Sequence, residues 1–322
     1  MLALSQIPPL KSFPDERRKS KKIVRQKSAR FYRILTGVVP LIPFRRYATA
    51  SRWMVSPRLK STVINIEGGQ WLIFPGVAST WAFPFGLKEV NVSCHLRALL
   101  HQADGFIDCG ANLGWYSFLA SRLAGIKNLV AVEPVSHSLR YLKLIKKLNQ
   151  IENLTLVRGC VSNHDGTVQF SCPKKRFSEM GYVELHPTIG GLRLPSYTLE
   201  TIIGMFPSSS NRLCIKIDVE GHEKMALHSI SKETLSQRIQ SAIVEVHLYK
   251  FSNPVEELKK ICQALSVIGK PQFLLPPQLS PPLVRFSSHL WKYYPAQEGS
   301  QQLIDLVQKG SLPEVHVLVN RG

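Results

Sequence analysis

The stretch FIDCGANLGWYSFLA, residues 106–120, decides the fold. An apolar run ends on Asp108, and Gly110, Asn112 and Gly114 then shape a tight turn before a helical pattern takes over at about 114–124. Glycines allow a backbone to approach a ligand with no Cβ in the way. In a doubly wound sheet, the end of this first strand opens on the crevice where nucleotides bind. The glycine spacing fails as the G-x-G-x-x-G dinucleotide fingerprint. It is built as D-x-G-x-x-x-G instead.

Working outward, short β-branched runs alternate with amphipathic stretches almost to the end of the chain. Strands are expected at 105–108, 129–133, 154–158, 213–218, 242–247, 272–275 and 314–320, and helices at about 114–124, 136–149, 221–230 and 254–268. That alternation argues for an α/β fold, Rossmann-like and doubly wound, with a mostly parallel seven-stranded sheet and an antiparallel C-terminal strand. Upstream, TVINI and QWLIF flank Gly68-Gly69, which reads as a β-hairpin, and a helix-like stretch follows from about 90 to 101. Residues 160–212 form an insertion rich in Gly, Pro and Ser, with weak strand signals at 167–171 and 192–197. The expected organisation is a basic extension over 1–60, a hairpin and helix over 61–102, and the main domain over 103–322.

Further acidic groups fall at strand ends. The second strand ends in VAVEP, where Glu133 can accept two hydrogen bonds from ribose hydroxyls, Pro134 stops the strand and Ser136 can cap the next helix. CIKIDVEGHE, residues 214–223, places Asp218 and Glu220 at the end of the fourth strand before Gly221. Acidic residues there also suit the positive end of a helix. AIVEVHLY brings Glu245 and His247 toward the same rim, where His247 can act as a base or hold an acceptor.

Charge is unevenly spread. Residues 1–60 hold fifteen Lys/Arg against only Asp15 and Glu16, so most of the net charge of +19 sits in that segment. Such an arm suits an anionic membrane surface, nucleic acid or an acidic partner, or is simply solvated. Its most apolar part, ILTGVVPLIPF at 34–44, is broken by prolines and shorter than the roughly 20 residues of a membrane span. The six cysteines make no C-x-x-C pair, so neither disulfides nor a metal knot is called for. A cytoplasmic setting with peripheral membrane contact is the simplest expectation.

IDCGANLGWYS, AVEP, VRGCVSNHDGTV, SYTLETI, IKIDVEGHE and IVEVH, in that order, resemble the FkbM family of S-adenosylmethionine-dependent methyltransferases over roughly residues 103–275. The resemblance implies S-adenosyl-L-methionine as cofactor, with Asp108, Gly110, Asn112, Gly114 and Glu133 at cofactor positions. Asp108 is then expected near the charged end of the methionine moiety. Asp218, Glu220, Gly221 and Glu223 match the D-V-E-G-x-E signature, with Cys109 where Val is frequent and His222 where a small residue is common. O-methylation of a small-molecule, sugar or glycan hydroxyl is the activity implied, with Asp218, Glu220 or His247 as the base. Asp218 and Glu220 could also hold magnesium, although the resemblance brings no metal with it. Two rivals are an RNA methyltransferase or nucleic-acid-binding protein using the basic arm, and a non-catalytic module at a membrane. No RNA-recognition signature with interleaved aromatics is present and no NPPY-type sequence occurs, which disfavours nucleic acid.

Overall fold

Strand β4 (Gly105–Cys109) is buried along its whole length, and its alternation sets the layers. Phe106 packs on one side of the sheet with α2 (Val90–Leu100), α3 (Trp115–Ala120) and α4 (Ser136–Leu148). Ile107 and Cys109 pack on the other, with α5 (Leu199–Ile203), α6 (Glu223–Leu227), α7 (Lys232–Arg238) and α8 (Pro254–Leu265). Helices on both faces explain why the strands read as near-continuous apolar runs. The computed structural model describes residues 27–28, 61–74, 77, 79–82, 84, 89–171, 182–183, 191–274, 293–295, 305, 307–308 and 314–321. Among these, no helix is long and apolar enough to cross a membrane.

Around β4 lie β5 (Asn128–Val132) and β6 (Leu154–Val157) on one side, and β11 (Leu213–Ile217) and β12 (Ile239–His247) on the other, all parallel. Beyond β12 comes the last strand, β15 (Glu314–Asn320), antiparallel to it and wedged between β12 and β13 (Gln272–Leu274). The expected mostly parallel sheet with an antiparallel C-terminal strand is therefore present, and a short eighth strand, β14 (Tyr293–Pro295), extends its edge. The chain winds away from β4 in both directions, so the switch point lies between β4 and β11. Ligands in open α/β sheets bind outside the carboxyl ends of the strands at such a point.

Two smaller sheets flank the main one. The hairpin β2 (Thr62–Ile66) and β3 (Gly69–Ile73) turns at Glu67-Gly68, both at positive φ, and a two-residue strand β1 (Lys27–Ser28) runs parallel to β2. Trp71 of β3 is fully buried in a ring cluster with Trp115, Phe118 and Tyr141. Its indole N–H donates to the Thr80 carbonyl at 2.7 Å, on α1 (Ser79–Ala82). A buried aromatic of this kind contributes on the order of 3–5 kcal/mol, so the hairpin is clamped to the core. The insertion forms a four-stranded sheet of β7 (Cys160–Val161), β8 (Gly166–Ser171), β9 (Tyr182–Val183) and β10 (Leu192–Tyr197). PPQLSPP, the apolar run at 34–44 and the side chains of Trp291, Tyr293 and Tyr294 lie outside the described residues.

Candidate functional site

At the switch point three strand ends are locked by backbone hydrogen bonds. The amides of Gly110 and Ala111 both donate to the Val132 carbonyl, and the Asp218 amide donates to the Cys109 carbonyl, each at 3.0 Å. Gly110 has φ +76°, and a Cβ there would overlap the carbonyl oxygen of Asp218. Only glycine lets the β4 turn lie this close to the end of β11. Asn112 also sits at positive φ, the left-handed region that asparagine tolerates better than most residues.

The expected cofactor residues separate into two groups. Gly110, Asn112 and Glu133 line a cleft of about 540 Å³, part of it open to solvent, together with Val135, Phe170 and Asp218. Glu133 is buried, and its two carboxylate oxygens accept from the amides of Asn112 and Val135, each at 2.7 Å. Burial pushes its carboxyl up to about 7, against the lowering effect of those two amides. The Val135 bond serves the start of α4 as a cap. Ser136, expected in that role, is instead the first helical residue, and no side chain caps the helix from Val135 itself.

Asp108 stands behind the cleft and does not line it. It is fully buried, and Oδ2 accepts from Ser117 N at 3.1 Å and Ser117 Oγ at 2.6 Å. The reason is strand alternation, which turns Asp108 to the face covered by α3. The N-cap of α3 is Gly114, which has no side chain to satisfy the first-turn amides, so Asp108 supplies the acceptor. Gly114 itself does not line the cleft. A Cβ there would collide with Leu142 of α4, so this glycine serves helix packing.

The expected catalytic residues are brought together. Asp218 and Glu220 line the same cleft as Glu133, and His247 reaches them from the end of β12. His247 Nε2 lies 3.5 Å from Glu220 Oε2 and 3.9 Å from Asp218 Oδ1, while Nδ1–H donates to Glu223 Oε1 at 2.8 Å. Glu223, fully buried at the start of α6, also accepts from the Gly221 amide at 2.8 Å and so braces the turn. Burial alone would lower the His247 imidazole, but the Glu223 hydrogen bond and the charges of Glu223, Asp218 and Glu245 raise it to about 10. Burial raises the Glu220 carboxyl against the lowering pull of His247. One ligand atom each from Asp218, Glu220 and His247 lies within 4.8 Å of the others, the spacing of a cation site.

Several residues around this site have no role readable from the sequence. Lys216 of β11 is almost fully buried, donates to Asp218 Oδ2 at 2.9 Å and stands over the Tyr116 ring at 4.8 Å. Burial would lower its ammonium, yet Asp218, Glu245, Asp108 and Glu89 together raise it. The one visible sign was a lysine inside the otherwise apolar strand LCIKI. Phe170, on the wall of the cleft, comes from the insertion's sheet, where the sequence shows only a weak strand signal and nothing that points to the cleft. His222 is buried against Ser162 at 3.1 Å, and burial lowers its imidazole to about 4.

A family model for the methyltransferase FkbM domain matches residues 108–270, and the chain belongs to that family. It is accordingly an S-adenosylmethionine-dependent methyltransferase. No curated protein matches it in sequence. Similar solved structures include a precorrin-6y C5,15-methyltransferase from Geobacter metallireducens, at 11% identity and TM-score 0.35, covering 73% of this chain and 89% of that one. Another is TYW2 of M. jannaschii in complex with AdoMet, at 12% identity and TM-score 0.38, covering 82% and 86%. A third is a SAM-dependent methyltransferase from Agrobacterium tumefaciens, at 8% identity and TM-score 0.39, covering 83% and 72%.

The cleft fits the cofactor in its own chemistry. It offers a glycine-bounded backbone turn, a buried carboxylate at the second strand end, and Asn112 Oδ1, which is buried without a hydrogen-bond partner.

Proposed function

We propose that this chain transfers the methyl group to a hydroxyl oxygen of a small-molecule or glycan acceptor. The observation that carries the reading is that Glu133 and Gly110 share one cleft with Asp218 and Glu220. A cofactor pocket therefore ends on carboxylates able to take a proton.

Bound S-adenosylmethionine supplies a methyl already activated on a sulfonium. Gly110, Asn112 and Glu133 would hold it, with the carboxylate of Glu133 having lone pairs left to offer ribose hydroxyls. Asp108 and Gly114 act from behind, by fixing α3 and its packing. An alcohol is a weak nucleophile and must lose its proton as attack develops. Glu220 is the general base, since its carboxyl is raised by burial and faces the cleft. Asp218, fixed by Lys216, orients the acceptor hydroxyl. His247 holds its proton for the surrounding carboxylates, so it positions Glu220 rather than accepting a proton itself.

The test is methyl transfer from labelled cofactor to a panel of hydroxyl, amine and carbon acceptors, with calorimetric titration of S-adenosylhomocysteine beside it. Glu220→Gln is expected to keep product binding within about twofold and to slow turnover roughly 100-fold. Transfer by the variant at the wild-type rate would remove Glu220 from the role of base. Transfer only to nitrogen or carbon acceptors would overturn the O-methylation reading.

A further inference from the structure

The tripeptide Glu-Val-His occurs twice, at residues 245–247 on β12 and 314–316 on β15. The two strands are antiparallel, with Glu245 opposite His316, Val246 opposite Val315 and His247 opposite Glu314. Opposed residues of an antiparallel pair share a face. Both valines therefore enter the core, fully buried, while two glutamates and two histidines stand as a block on the other face.

One corner of this block converges with a third segment. Ligand atoms of Glu89, Glu245 and His316 lie within 4.8 Å of one another. Glu245 and His316 are only 6% and 8% exposed. Glu245 Oε2 and His316 Nε2 stand 3.2 Å apart as a buried ion pair, and neither atom has a further partner among the described residues. A buried carboxylate oxygen and a buried imidazole nitrogen that face each other beside a third carboxylate, with no further partner for either, offer lone pairs that one cation can accept from both.

The charge around them points the same way. Glu89, Asp108, Asp218, Glu220, Glu223, Glu245 and Glu314 set seven carboxylates against two ammoniums, Lys216 and Lys250, and the imidazoles of His247 and His316. With both imidazoles charged, negative charge is still in excess, and buried charge persists only when paired or bound to a cation. Glu89 opens α2 from a left-handed backbone conformation, φ +49°, a sparsely populated region that costs energy to hold.

We propose that Glu89, Glu245 and His316 bind a divalent first-row cation of the zinc or manganese type. The imidazole nitrogen selects such a metal over magnesium, whose sites are built from oxygen alone. Three protein ligands leave coordination positions open for water or a substrate group. The cation joins the start of α2 to β12 and β15, and it removes charge from beneath the cleft. It is distinct from the Asp218, Glu220 and His247 trio, though linked to it through Glu245 and His247 of the same strand.

Metal analysis of the full chain, followed by calorimetric titration of the chelator-stripped protein with zinc, tests this. One zinc per chain is expected, with affinity falling about 100-fold or more in Glu245→Gln and His316→Ala and holding in Asp218→Asn; second-sphere changes alone span 10–100-fold. If His316→Ala fails to fold by circular dichroism, Glu89→Gln serves in its place. No zinc uptake by the folded wild type would overturn the proposal and leave the missing positive charge to a cationic acceptor. Equal binding by wild type and ligand variants, or loss in Asp218→Asn alone, would overturn it as well. None of these readouts depends on methyl transfer, so O-methylation can fail while the metal site stands.

Discussion

The two halves of the cleft are built from different materials. On the β4–β5 side, charges are handled by the backbone: Glu133 has each oxygen on a main-chain amide, and Asp108 is bound to the first turn of α3. On the β11–β12 side, side-chain charges face one another, with Lys216 and His247 shared among many carboxylates and Glu245 Oε2 set against His316. A backbone-built half presents the same geometry whatever the neighbouring side chains do, as a fixed cofactor requires. A half built from side-chain charge can be retuned by single substitutions.

The contrast can be broken most sharply at Gly110. Gly110→Ala must accommodate a Cβ against the Asp218 carbonyl at φ +76°, with no flexible side chain to give way. A loss of about 4 kcal/mol or more in denaturant unfolding is expected, together with loss of S-adenosylhomocysteine binding. Normal binding in a stable variant would show that the turn is not the rigid half. Next in size is Lys216→Met, which keeps the stem's packing but strands buried carboxylates. Unfolding should show about 3 kcal/mol of destabilisation, with product binding retained wherever the protein remains folded. A change within experimental error would mean the carboxylates are neutralised by something other than Lys216.

The smallest effect expected is a pH dependence at Glu133. Its carboxyl is raised from 4.5 to about 7, so the folded chain keeps a proton that the unfolded chain releases across that window. This group's contribution to stability therefore falls as pH rises through the window. Cofactor-product binding moves the other way, because the ribose hydroxyls need the carboxylate. S-adenosylhomocysteine should bind about tenfold more weakly at pH 6 than at pH 8, and Glu133→Gln should flatten that difference. An equal slope in the variant would assign the titration to another group.

Much of the sheet was legible because each core strand is an apolar run that stops at a polar or glycine-rich turn, and Gly68-Gly69 marked the hairpin as plainly. The helix Lys232–Arg238 carries no apolar periodicity, since only Leu235 of it is buried and its start is held by the Ser231 cap. The site was legible wherever a strand end coincided with a local motif, as at Gly110, Glu133, Asp218 and Glu220. Asp108 shows the limit: its position at the strand end was readable, but the side it faces depends on α3 lying over it. The Glu245–His316 contact was out of reach because it depends on the register of two strands far apart in the chain.

That register has a consequence for how the chain folds. The closing strand lies between β12 and β13, so its register is set against a neighbour on each edge. Sliding β15 by two residues would oppose Glu245 to Glu314, or His247 to His316, while sliding it by one would push charges toward the valine core. The repeated Glu-Val-His is thus a key with one working orientation, in which opposites meet and both valines are buried. It lets the chain recognise its own correct closure before any ligand arrives.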